Sequence, residues 1–143
     1  MVISHGRKKH ELINLHTMFK KKFEGKVDEN LFNSISTKFT FYICYDTQET
    51  LDSFVEEYFK MRGLIVDNRN AMIEYLQSDE YKLENLVTKS MVKRELNYWQ
   101  KLCESVNKFE DEFYEKANVS LLRVENERLC ADPSSKREEI VEE

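Results

Sequence analysis

The chain has 143 residues, of which 41% are hydrophobic and 34% charged, with a formal net charge of −5. That length accommodates one domain with a substantial core, and that balance excludes an intrinsically disordered chain. Three glycines and one proline are too few for turn-rich β-sandwiches or glycine-rich phosphate loops, so long helices are expected. No apolar run approaches the ~20 residues of a membrane span, and the N-terminal stretch lacks the apolar segment of a secretory leader. The charge is uneven: residues 1–35 hold seven Lys/Arg against four Asp/Glu, and the remainder is acidic. An acidic chain makes nucleic acid an unexpected partner.

Residues 7–24 place Leu12, Leu15, Phe19 and Phe23 at helical spacing, followed by Gly25 as the residue that ends the helix. Residues 28–45 are expected to form a second helix, capped by Asp28, with Leu31, Ile35, Phe39 and Tyr42/Ile43 inside. The stretch "KFTFYICY" within it is also rich in strand formers. Helix is preferred because no partner strand exists elsewhere in the chain. "DTQE" reads as a capping box, Asp46 with Glu49, opening a long helix with Leu51, Phe54/Val55, Tyr58, Met61, Ile65, Met72 and Tyr75/Leu76 on its apolar face. Gly63 inside it marks a close contact or a slight bend.

From Ser78 the helical pattern starts afresh or continues. Leu83, Leu86/Val87, Met91, Tyr98, Leu102, Val106, Phe109, Phe113, Ala117, Leu121 and Val124 recur every three to four residues. As one helix to about Cys130, this stretch would run roughly 75 Å. The pattern ends before Pro133, and residues 132–143 read as a frayed acidic tail. The expected organisation is thus one all-α domain over residues 1–131, with short helices at 7–24 and 28–45 and long ones over 46–131. Such long stripes call for a partner helix folded back on them, a second copy of the chain, or both. Leu102, Val106, Phe109, Phe113, Leu121 and Val124 are the candidate core or dimer-packing residues.

No catalytic signature is present. His5, His10 and His16 lack metal-ligand spacing and read as solvated or interfacial imidazoles. Cys44, Cys103 and Cys130 form neither a disulfide framework nor a zinc pair, which suits a reducing cytoplasmic compartment. The acidic groups Glu56-Glu57 and Glu110-Asp111-Glu112 read as solvated helix faces, and the sequon at Asn118 as a chance match within a helix. Trp99 is expected at the edge of a helix contact, beside Tyr98 on the stripe. The expectation is therefore a protein that is not an enzyme, with no cofactor, metal or small-molecule substrate.

The basic clusters are the better functional candidates. Lys20, Lys21 and Lys22 end an amphipathic helix, the pattern of a segment that lies on an anionic membrane. Lys82, Lys89, Lys93 and Arg94 would gather at one place if the second long pattern were folded as a hairpin.

Two stretches add to this reading. "VDNRNAMIEYL" (66–76) carries Val66, then Asp67 and Arg69 two apart, then the large apolar Ile73 and Leu76. "WQKLCESVNKFEDEFYEKANVSLLRVENER" (99–128) carries Trp99, then Phe109-Glu110, then Arg123-Val124-Glu125-Asn126-Glu127-Arg128. Together they resemble the BAR domain at the C-terminus of sorting nexins, over residues 50–130 or so. The region between the stretches is shorter than in that family, and the first 45 residues hold no PX motif, as in a truncated or divergent member. The resemblance implies an elongated antiparallel helical hairpin, paired as a BAR-like coiled-coil dimer with a like or unlike helical chain. It implies a peripheral role on endosomal membrane in protein sorting, with phosphoinositide recognition. It also implies a turn near Thr88–Ser90, with Lys82, Lys89, Lys93 and Arg94 near the tip meeting lipid and Lys20–Lys22 as a second patch. The alternative is a coiled-coil adaptor that binds proteins only.

Overall fold

A computed structural model describes residues 2–119, with side chains from residue 8 onward. Every regular element among them is a helix: α1 Val2–Phe23, α2 Glu29–Tyr45, α3 Gln48–Leu76, the single turn α4 Asp79–Lys82, and α5 Leu86–Ala117. The "KFTFYICY" stretch is helical because that winding buries Phe39, Tyr42 and Ile43 together. The inner face of α2 begins at Phe32; Leu31, expected there, is half-buried.

Local chemistry sets the ends. Gly25 has a φ of 75°, a left-handed conformation that glycine adopts without a Cβ penalty, and Lys26 N–H donates back to Phe23 O at 3.0 Å. Asp28 Oδ2 accepts from Leu31 N–H at 2.9 Å and starts α2. Asp46 does not cap α3 as expected. It ends α2 instead, left-handed at φ 47°, with its N–H on Tyr42 O. The connection is too short for Asp46 to serve both helices, so Thr47 takes the cap, its Oγ1 accepting from Thr50 N–H at 3.1 Å.

The long C-terminal pattern is interrupted earlier than expected. The chain leaves α3 at Leu76, and a turn near Thr88–Ser90 is not found: those residues lie inside α5. Ser78 Oγ accepts from Tyr81 N–H at 3.3 Å and Asn85 Oδ1 from Thr88 N–H at 2.8 Å. Each satisfies a first-turn donor, so the polar residues at 78 and 85 bracket the break. At its other end α5 stops at Ala117, short of Cys130, and Asn118 turns left-handed at φ 55°. The sequon asparagine is therefore just past a helix end rather than within one. Leu121, Val124, Cys130 and the acidic tail lie outside the described residues.

The helices contribute to two compact units. The first comprises residues 2–63 with 108–119. In it α1, α2, the first part of α3 and the last part of α5 alternate in direction around an aromatic core. Phe39 lies 4.6 Å from Phe54, 6.2 Å from Phe109 and 6.0 Å from Phe113, ring centre to ring centre. Phe19 stacks on Phe32 at 5.3 Å and meets Phe109 at 5.6 Å. Phe54 stacks on Phe113 at 5.8 Å. Each ring pair adds about 0.5–1.5 kcal/mol beyond burial. The apolar stripes of α3 and α5 are thus covered here by α1 and α2, within one chain.

Among these rings sits a buried polar group. Tyr58 Oη donates to Glu110 Oε2 at 2.7 Å, and Arg62 Nε donates to the same oxygen at 2.7 Å. Glu110 is 1% exposed, so the expected solvated face is wrong at this position. It follows Phe109 on α5 and is carried inward with the stripe. Separately, the half-buried His16 joins α1 to α2: its Nε2 is 2.7 Å from Ser36 Oγ and its ring stacks on Phe39 at 4.8 Å. Burial, then the Lys20 charge, pushes its pKa down from 6.5 to about 4.

The second unit comprises residues 64–107 of the described chain: the end of α3, α4 and the start of α5. Ile65, Leu102, Cys103 and Val106 are buried in it, along with Arg69, whose Nη2 donates to Asn70 Oδ1 at 3.0 Å.

Two outcomes follow. Glu110→Ala strands the Arg62 charge and should cost about 3–5 kcal/mol in urea unfolding, whereas Tyr58→Phe, which keeps the ion pair, should cost about 1.5–3 kcal/mol. His16 is held neutral by the fold, so its contribution is complete above pH 6.5 and is lost as pH falls towards about 4, because the unfolded chain takes up the proton first. Unfolding midpoints measured across that window should fall with pH, and His16→Gln should flatten the slope.

Candidate interaction surface

The turn between α3 and α5 is tightly tied. Ser78 Oγ donates to Tyr75 O at 2.6 Å, and Tyr75 Oη donates to Glu84 Oε1 at 2.8 Å. The Tyr75 and Tyr81 rings meet edge to face at 6.1 Å, and the Lys89 ammonium lies 5.5 Å over the Tyr81 ring. The bond to Glu84 holds the Tyr75 phenol above its ordinary range, since losing the proton would break it. These bonds fix the turn while leaving its apolar side chains outside.

Those side chains are Leu83, 88% exposed, Leu86, 84%, Val87, 71%, and Met91, 59%. The helical pattern places all four on the buried stripe; the structure corrects this. They open the stripe where no described residue covers it, and Tyr98, also expected on the stripe, is exposed as well. Single exposed leucines are ordinary, but a run of aliphatic groups at one turn is the composition of a contact surface.

The basic candidates flank this run. Lys93 and Arg94 are exposed, Lys89 is half-buried against Tyr81, and Lys82 is exposed but 3.4 Å from Asp79 Oδ1. The turn thus presents aliphatic side chains beside four basic residues, with Asp79, Glu80, Glu84 and Glu95 interspersed among them. Lys20, Lys21 and Lys22 belong to the last turn of α1 in the other unit, where they oppose the helix dipole.

The other sequence candidates have structural places. Leu102, Val106, Phe109 and Phe113 are buried within the chain. Val66, Ile73 and Leu76 are half-buried, Asp67 is exposed and Arg69 is buried. Trp99 is half-buried and donates from Nε1 to Glu95 at 3.2 Å. Residues 123–128 lie outside the described residues. Cys44 is exposed and Cys103 buried. Among the described residues no cluster of three or more His, Cys, Asp or Glu is arranged to hold a metal, and no helix is long and apolar enough to cross a membrane.

A surface missed by sequence reasoning lies on α2 and α3. Phe41 and Tyr45 are exposed beside a shallow cleft of ≈ 270 Å³, whose walls include Lys38, Glu49 and Ser53. The signal was their position: at i and i+4 they share a face of α2 turned away from Phe39.

No protein-family model, curated protein or solved structure matches the chain.

Replacing Leu83, Leu86 and Met91 by serine should change stability by no more than about 0.5 kcal/mol each, because exposed side chains lose little on truncation. Phe109→Ala should cost about 3–5 kcal/mol. Thermal unfolding of these variants distinguishes a surface run from a core one.

Proposed function

We propose that the chain is a helical module that docks peripherally on anionic membrane through the turn between α3 and α5. The observation that carries this reading is the conjunction of exposed Leu83, Leu86, Val87 and Met91 with Lys89, Lys93 and Arg94. Aliphatic side chains gain by entering the acyl boundary, and each nearby Lys or Arg adds about 1 kcal/mol against an anionic surface. Protein sorting at endosomal membrane is the setting implied by the sorting-nexin resemblance. Its BAR-like pairing would have to use exposed groups such as these, since the buried stripe is already occupied.

A second reading is a helical adaptor that binds proteins only. Exposed Phe41 and Tyr45 favour it, because aromatic side chains at a cleft suit a protein contact better than a lipid one.

Co-sedimentation with phosphatidylserine vesicles tests the first reading. Binding should weaken steeply with salt and disappear in Lys89→Glu/Lys93→Glu/Arg94→Glu, while a neutral vesicle should bind little. No binding at low salt, or binding indifferent to those substitutions, would transfer the assignment to the adaptor.

A further inference from the structure

The last turn of α1 carries a second basic surface, wholly within the first unit and built differently from the turn. Phe19 and Phe23 pack on Phe109 of α5 at 5.6 and 6.5 Å. Lys22 precedes Phe23 and Lys108 precedes Phe109, and the charges of Lys22 and Lys108 are near enough to act on each other. Burial and then the charges of Lys108 and Lys26 hold Lys22 below the ordinary lysine range; Glu112 pulls the other way. Glu112 is itself 3.4 Å from Lys116, which shares its charge. The surface therefore concentrates positive charge that nearby carboxylate only partly offsets.

Beside it is a cleft of ≈ 300 Å³, lined among the described residues by Asn14, Thr17, Met18, Lys21 and Lys22. Lys22 belongs both to the cleft and to the cluster with Lys26 and Lys108. Asn14 adds an amide and Lys21 a further ammonium, while the Thr17 hydroxyl donates to Ile13 O at 3.2 Å. Ammonium groups bind phosphate as compact point charges, and an amide N–H adds a neutral donor to such a shell. The volume lies at the lower end of small-molecule sites, which favours a compact polyanion over a nucleic-acid strand.

We propose that the α1 surface around Lys22, with Lys21, Lys26 and Lys108, binds a small phosphate-bearing ligand in the Asn14–Thr17 cleft. The shared chemistry is a multiply charged phosphate, free in solution or carried on a lipid headgroup. The site uses none of the residues of the turn. A bound polyanion would relieve the repulsion among the lysines, so the fold should become more stable when the site is filled.

The test uses the full chain at low salt with inorganic pyrophosphate and inositol hexakisphosphate as probes, followed by calorimetry and thermal unfolding. Both probes should bind and raise the unfolding temperature. Lys22→Met/Lys108→Met should weaken binding by about tenfold or more. That variant keeps an apolar stem, and without ligand it should unfold no earlier than the parent, because it removes like-charge repulsion. Lys89→Glu/Lys93→Glu/Arg94→Glu should bind the probes normally, so loss of vesicle binding through the turn leaves this result intact. In a second arm, vesicles bearing a phosphoinositide bisphosphate are offered to the triple variant. Capture that depends on Lys22 and Lys108 identifies a lipid headgroup as the source; probe binding without capture identifies a free phosphate. Absence of heat and of any thermal shift at millimolar probe would overturn the proposal. So would an equal shift in Lys22→Met/Lys108→Met.

Discussion

Ring-on-ring packing across four helices is the constraint on which the first unit depends. Phe39 of α2 is in ring contact with Phe19 of α1, Phe54 of α3 and both Phe109 and Phe113 of α5. One side chain thus reaches all the other helices of the unit. Such rings are large and interlocked, and a void left by any of them can be only partly closed by its neighbours. The same contacts explain why α3 and α5, whose stripes look open to another polypeptide, are closed here: α1 and α2 supply the missing face.

Phenylalanine packing is tolerant of direction, and a helix shifted by a turn would still bury rings. The Tyr58–Arg62–Glu110 group is not tolerant in this way. A shift of α5 against α3 would leave Glu110 in the core without its two donors, and an unpaired buried charge costs more than the pair contributes. The polar group therefore penalises wrong registers while the aromatic cluster drives association. The link between His16, Ser36 and Phe39 does the same for α1 against α2 at lower stakes, since that site is half-buried.

The second unit shows the opposite outcome for similar chemistry. Leu83, Leu86, Val87 and Met91 are as apolar as the residues that fill the core, yet they stay outside because the bonds of Ser78, Tyr75 and Asn85 hold the turn in place. A fixed turn with exposed aliphatic groups and neighbouring cations is already organised for a surface, and little conformational entropy is lost when it docks. The α1 surface has a different logic: ammonium groups close enough to act on one another suit a compact anion rather than an apolar boundary.

Helix content, the segments α1 to α3 and most of the core were legible from periodicity alone, because an amphipathic stripe is a local property of spacing. Phe19, Phe39, Phe54, Phe109 and Phe113 are all inside, as their spacing implies. The helical winding of residues 37–45 was legible only through the absence of a partner strand. Other features depended on what each stripe meets. Spacing gives Met91 and Phe109 the same face of α5, but only Phe109 has α1 and α2 against it, and so only Phe109 is buried. Glu110 looks like a surface acid until Tyr58 and Arg62, some fifty residues earlier, are brought to it. The caps at Thr47, Ser78 and Asn85 were hidden for a related reason: many polar residues can cap a helix, and the packing of the connected helices selects which one does. Periodicity records which residues prefer to leave water, whereas burial also requires a covering surface, and that surface comes from distant parts of the chain.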